Sequence, residues 1–155
     1  PINSLKFAIK KLNQNNIRVI KKSFLYSSPP KDFSSAANTF YNGAIMVDSA
    51  LKPESLLIVL KSIEKNLGRN IYKKNTSRTC DLDILLVKPQ EISAIRENNS
   101  KCILPHPRIH ERGFVLKPMM DICPSWIHPQ HNQSICNIYK SRYTGEKLYK
   151  IAKKL

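Results

Sequence analysis

Two carboxylates interrupt an apolar run at Asp81-Leu82-Asp83-Ile84-Leu85-Leu86, and this run constrains the fold more than any other part of the chain. On a strand, residues i and i+2 share one side of the sheet, so Asp81 and Asp83 would stand together with Leu82 turned the opposite way. Like charges held that close repel unless a cation lies between them. A hard divalent ion such as Mg²⁺ takes a few protein oxygens and completes its shell with water and phosphate. An isolated Asp-x-Asp is more often a solvated acidic edge, so the neighbouring residues decide between the two readings.

Those neighbours are cationic on both sides. Upstream, Leu67-Gly68-Arg69 leads into a polar stretch with Lys73, Lys74 and Arg78; downstream come Leu104-Pro105-His106-Pro107-Arg108 and Arg112-Gly113-Phe114-Val115-Leu116-Lys117-Pro118. A polyphosphate bridged by Mg²⁺ needs such a set: carboxylates hold the metal, and Arg and Lys neutralise the remaining phosphoryl oxygens. No Gly-x4-Gly-Lys-Ser/Thr loop occurs, so any nucleotide is held by another architecture. His106 has a competing reading, because Cys102, His106 and His110 fall at C-x3-H-x3-H, with Cys123 as a fourth possible zinc ligand. That set needs a helix, which Pro105 and Pro107 disfavour. His128 and His131 have no clear role in the sequence.

A chain of 155 residues with 41% hydrophobic content suffices for one core. No apolar run approaches ~18 residues and no signal-peptide pattern is present, so the expected setting is cytoplasmic. The cysteines at 80, 102, 123 and 136 form no C-x-x-C pair and read as reduced thiols. The net charge of +15 invites a nucleic-acid reading, but the lysines are scattered along the chain without a stacking aromatic pair or a recognisable motif, which makes nucleic acid an unlikely partner.

Periodicity predicts an α+β chain. Leu5, Ala8, Ile9 and Leu12 mark a helix ending in the polar run 13–16. Residues 17–25 read as a strand, stopped by Ser27-Ser28-Pro29-Pro30, and residues 39–47 alternate as a second, with Phe40 and Asn42 on one face. Pro53, Leu56, Leu57, Leu60, Ile63 and Leu67 define a second helix that Gly68 terminates. The Asp-Leu-Asp strand follows the basic loop. In the tail, residues 134–143 and 146–151 are expected as two short basic helices, with Trp126 anchoring the preceding turn.

The order Leu67-Gly68-Arg69, basic loop, Arg78-Thr79-Cys80-Asp81-Leu82-Asp83-Ile84-Leu85, Pro105-His106-Pro107-Arg108, Arg112, Phe114-Val115-Leu116, Pro118 and Asp121-Ile122-Cys123-Pro124 resembles the 6-hydroxymethyl-7,8-dihydropterin pyrophosphokinase family of folate biosynthesis. Ser27-Ser28-Pro29-Pro30 and Phe40-Tyr41-Asn42 resemble its substrate-loop and pterin-strand segments, so the likeness spans residues 5–124. It implies a ferredoxin-like βαββαβ sandwich; the family's opening strand, ending in Gly-Ser-Asn, does not stand in this sequence, so either the chain is a fragment or the protein lacks the element and a sheet position is filled from elsewhere. The pyrophosphokinase domain is expected over 1–127, with 128–155 a basic tail and candidate linker to a further domain.

The reaction implied is transfer of pyrophosphate from ATP to 6-hydroxymethyl-7,8-dihydropterin, by attack of the hydroxymethyl oxygen on the β-phosphorus, giving AMP and the pterin diphosphate. By resemblance, Asp81 and Asp83 would hold two Mg²⁺ ions, and Arg69, Arg78, His106 and Arg112 would line the phosphates as catalytic groups. Lys74 and Ile84 would join His106 and Arg112 in binding ATP. The pterin would stack between Phe40 and Phe114, hydrogen-bonded by Asn42 and walled by Ser28 and Pro29. A fusion or pathway link to dihydropteroate synthase is a further implication.

The basic loop departs from the family's Arg-x-x-x-Arg-Trp-Gly-Pro-Arg. Ile71, Lys74, Asn75 and Ser77 stand in the corresponding stretch before Arg78, and Asn75 replaces the closing Trp. A lid without that ring excludes water less well, so slow turnover is expected. A non-catalytic nucleotide- or pterin-binding remnant and a basic nucleic-acid-binding module stay open as alternatives.

Overall fold

The computed structural model describes residues 2–28, 39–67, 80–88, 102–142 and 147–155. Among these the chain is α+β, with four α-helices and short, largely antiparallel strand pairings. It divides into two compact units, one of Pro1–Val19 with Val47–Pro107 and one of Ile20–Met46 with Arg108–Leu155.

In the first unit, helix α1 (Ile2–Gln14) buries Ala8 and Leu12, as the i, i+4 spacing requires. Its end is written in asparagines: the Asn15 side chain donates to the Lys11 carbonyl at 2.8 Å, and Asn16 takes the left-handed conformation, φ 58°. Helix α2 (Pro53–Asn66) opens on Pro53, buries Leu60 and Ile63, and packs against α1. Gly68, the expected terminator, lies outside the described residues.

Strand β1 (Arg18–Lys22) pairs with β4 (Ile45–Asp48), and Arg18 meets Asp48 at 2.7 Å. The single strand expected over 17–25 is broken at Ser23, after which β2 (Phe24–Ser28) begins; the strand expected over 39–47 likewise divides into β3 (Phe40–Asn42) and β4. The breaks share a cause, a change of partner. Buried Ser23 donates its N–H to the Ala44 carbonyl, and its hydroxyl accepts the Ala44 N–H while donating to the Phe24 carbonyl. Gly43 lies beside it, where a Cβ would make the Leu155 side chain shift.

The second unit is built on an antiparallel sheet of order β3-β2-β7, in which β7 is Tyr149–Lys154. This corrects the helix expected over 146–151. Tyr149 and Ile151 pair with Ser27 and Leu25 of β2, and Lys150 lies 3.4 Å from the Phe24 ring centroid, so a partner strand far away in sequence overrides the local helical spacing. Helix α3 (Gly113–Ile122) packs on β2 and buries Leu116, Met119 and Ile122. Helix α4 (Ile135–Arg142) agrees with the expectation over 134–143 and packs on α3 through Ile135 and Ile138. Between them runs a small hairpin of β5 (Ile127–His128) and β6 (Gln133–Ser134). No helix among the described residues is long and apolar enough to cross a membrane, and all four cysteines are free thiols.

Candidate active site

The acidic pair lies in the first unit on residues 80–88, which do not form the strand that the sequence predicts. The alternation nonetheless persists, with Asp81 and Asp83 exposed and Leu82 half-buried, which turns both carboxylates to the solvent side. What fixes the segment is Glu64 of α2. Only 1% exposed, it accepts the Leu82 N–H at 2.7 Å and the Lys61 ammonium at 2.9 Å. Lys61 in turn donates to the Leu82 carbonyl at 3.3 Å and sits 3.8 Å from an Asp83 carboxylate oxygen. Both polar groups of Leu82 are thus held by one turn of α2, which sets the stance of the flanking aspartates.

His106 joins them through its backbone N–H, which donates to the Leu85 carbonyl at 2.9 Å. A cleft of about 220 Å³ is lined by Leu57, Asp83, Ile84, Cys102, Leu104 and His106. Its apolar wall is the packed group of Cys102 and Leu104 with Leu57, Ile84 and Val87. An apolar wall edged by a carboxylate and an imidazole suits a flat base carrying a charged tail. Burial, then the carboxylates of Asp81 and Glu64, push the Cys80 thiol up to about 11, and burial raises Cys102 as well, so neither is a nucleophile at neutral pH. Residues 102–108 are not helical, which removes the single face on which the zinc reading of Cys102, His106 and His110 depended.

The second unit carries the residues expected for a flat heterocycle. Ser28 stands opposite Phe40 in the β2–β3 register, and the Asn42 amide donates to the Ser28 hydroxyl at 3.2 Å. Phe40 is 59% exposed, which leaves an aromatic face open beside an amide. Arg112 caps the start of α3, and its guanidinium lies 5.7 Å from the Phe114 ring centroid. Helix α3 is tied to the sheet by Asp121, whose carboxylate accepts the Phe24 N–H and the Tyr26 hydroxyl, both at 3.0 Å. Burial and that carboxylate raise the Tyr26 phenol to about 12, so it remains a donor.

The structure therefore gathers Asp83, Ile84 and His106 around one cleft, with Asp81 facing the same way, and in the other unit pairs Ser28 with Asn42 and Arg112 with Phe114. Pro29, Arg69, Lys74 and Arg78 lie outside the described residues, as do the altered loop positions Ile71, Asn75 and Ser77. Glu64 and Lys61 were not expected from the sequence. A signal was there: Leu57, Leu60 and Glu64 fall at i, i+3 and i+7, so a carboxylate continues the apolar stripe of α2.

A family model for 7,8-dihydro-6-hydroxymethylpterin-pyrophosphokinase (HPPK) matches residues 1–124. The chain is 37% identical to the 2-amino-4-hydroxy-6-hydroxymethyldihydropteridine pyrophosphokinase of Bacillus subtilis, over 77% of this chain and 68% of that protein. With the protein of the same name from Aquifex aeolicus the identity is 34%, over 83% and 76%. It is also 40% identical, over 89% of its length, to the folic acid synthesis protein fol1 of Pneumocystis carinii, of which it spans only 18%. A match running unbroken from α1 past the acidic segment to the end of α3 covers every described residue of both groups, and the chain belongs to the 7,8-dihydro-6-hydroxymethylpterin-pyrophosphokinase family.

Proposed function

We propose that this chain transfers pyrophosphate from ATP to 6-hydroxymethyl-7,8-dihydropterin in folate biosynthesis. The observation that carries the reading is the outward-facing pair Asp81 and Asp83 on a segment clamped by buried Glu64, beside a cleft that Ile84 and His106 also line. In the reaction the hydroxymethyl oxygen bonds to the β-phosphorus and gives up its proton to solvent, the bond from that phosphorus to the α,β-bridging oxygen breaks, and AMP departs. Phosphoryl transfer asks the protein for position and charge rather than covalent chemistry.

Asp81 and Asp83, two oxygen donors on one side, fit Mg²⁺, with two ions expected; when bound, the metal supplies charge neutralisation on the ATP phosphates. His106, Arg112, Arg69, Arg78 and Lys74 are assigned to the remaining phosphoryl oxygens, with Ile84 against the base. Phe40 and Phe114 stack the pterin, Asn42 reads its edge, and Ser28 and Pro29 complete the wall. The loop with Asn75 in place of the family's Trp slows turnover without changing the reaction class.

The antiparallel sheet and its helices support the ferredoxin-like βαββαβ plan as the underlying architecture. The family match ending at residue 124 supports a domain over 1–127 and an extension over 128–155. Relatives named as folate synthesis bifunctional proteins, in Arabidopsis thaliana and Pisum sativum, support a link to a neighbouring step, for which dihydropteroate synthase is our assignment. An ATP-dependent enzyme with reduced thiols fits a cytoplasmic setting.

Purified protein given ATP, Mg²⁺ and the pterin alcohol should release AMP, and Asp81→Asn should slow that release by at least ~100-fold, the scale of losing a central electrostatic contact. AMP release absent from the wild type, or undiminished in Asp81→Asn, overturns the reading.

A further inference from the structure

Three histidines that the reaction does not use converge in the second unit. His110 sits on the short 3-10 turn Ile109–Glu111, His128 ends β5, and His131 lies in the turn of the β5–β6 hairpin. Each offers one ring nitrogen to a group in which all these atoms lie within 4.8 Å of one another. His131 is the middle member, its ring centroid 4.5 Å from that of His110 and 4.6 Å from that of His128. Packing alone does not explain the arrangement. His128 is 1% exposed, yet its Nε2 has no hydrogen-bond partner, and neither has the buried Nδ1 of His110. Burying a polar nitrogen without a partner costs free energy, and native interiors seldom tolerate it.

We infer that His110, His128 and His131 form a binding site for a divalent transition-metal ion, Zn²⁺ by preference. Three neutral imidazoles with a position left for water or a fourth donor are a common zinc set, and an all-nitrogen shell disfavours Mg²⁺ and Ca²⁺. Glu111, whose other carboxylate oxygen accepts from Arg108 at 3.1 Å, lies 3.8 Å from Nε2 of His110, within reach of orienting a ligating ring. With Zn–N bonds of about 2.0–2.1 Å, tetrahedral nitrogens stand roughly 3.3 Å apart, so from separations within 4.8 Å binding draws the nitrogens together by at most about 1.5 Å. His131, half-buried in a turn, is placed to make that adjustment. Ligation through Nε2 of His128 moves its ring proton to Nδ1, at the cost of the long 3.3 Å contact from the Gln130 N–H.

The test uses the full chain stripped with a chelator and then titrated with Zn²⁺ alone. One equivalent should survive desalting, and three of the four imidazole spin systems should shift in the NMR spectrum, with His106 unmoved. Substituting Co²⁺ should give the intense visible bands of a four-coordinate site. His131→Gln and His110→Ala should each weaken uptake at least ~10-fold, the loss seen even for outer partners of a metal ligand. Asp81→Asn should leave the stoichiometry intact, which separates this site from the acidic pair. No retained metal in the wild type, a shift of His106 in place of the cluster, or full retention in both histidine variants overturns the inference. The wild-type spectra decide it even should a variant fail to fold.

Discussion

The two units present their candidate site side chains by different means. In the second, Ser28, Phe40 and Asn42 stand on paired strands, where a ladder sets each residue's side and register. In the first, Asp81 and Asp83 stand on a segment outside any assigned strand, and the polar groups of Leu82 between them are gripped from α2 by Glu64 and Lys61. A ladder spreads positional control over many bonds, whereas a side-chain clamp concentrates it in one residue. The first unit should therefore lose function through a single substitution far more readily than the second.

The largest expected effect probes the second unit through acid. In the unfolded chain an imidazole titrates near 6.5, whereas folded His128 stays neutral to about 4, so between those values the unfolded state holds the extra proton. Stability is thus fully present above pH ~6.5 and falls as pH drops toward 4, by roughly 3 kcal/mol in all. Melting curves read on Trp126, the one tryptophan, with chelator present, should show the decline, and His128→Phe should flatten it. An unchanged slope in that variant would assign the acid sensitivity to other groups.

Next is Glu64→Ala, which strips the Leu82 N–H of its acceptor and should cost about 2 kcal/mol. Turnover should fall by more than the stability change explains, roughly tenfold, since the aspartates lose their fixed stance. Glu64→Gln, still able to accept that N–H, should restore most of it; kinetics measured well below the melting temperature separate the two effects. The smallest effect is Ser23→Ala in the second unit, about 1 kcal/mol from its lost hydroxyl bonds, with turnover little changed. A drop in turnover at Ser23 comparable to that at Glu64 would erase the contrast between the units.

Much of this was legible in the chain because it is local. The stripes of α1 and α2, the asparagine stop at 13–16 and the period-2 alternation of Asp81, Leu82 and Asp83 are properties of a few consecutive residues. What escaped is what distant segments decide. The break at Ser23 exists because Ala44 and Leu155 arrive there, and Tyr149–Lys154 is a strand because β2 offers it an edge. The Asp-Leu-Asp segment reads as a strand by pattern, yet α2 supplies the bonds to both polar groups of Leu82. The histidine cluster was hidden in the same way: His110 lies outside the hairpin that carries His128 and His131, and only the packing of the second unit brings the three together.

The paired carboxylates are the centre of the account, and Mn²⁺ in place of Mg²⁺ makes them visible. With an ATP analogue that cannot be cleaved between the α- and β-phosphorus, electron paramagnetic resonance should count two Mn²⁺ per wild-type chain. In a variant combining Asp81→Asn with Asp83→Asn the protein-bound signal should vanish. Equal Mn²⁺ uptake by the variant and the wild type would contradict the assignment of Asp81 and Asp83 as the metal ligands.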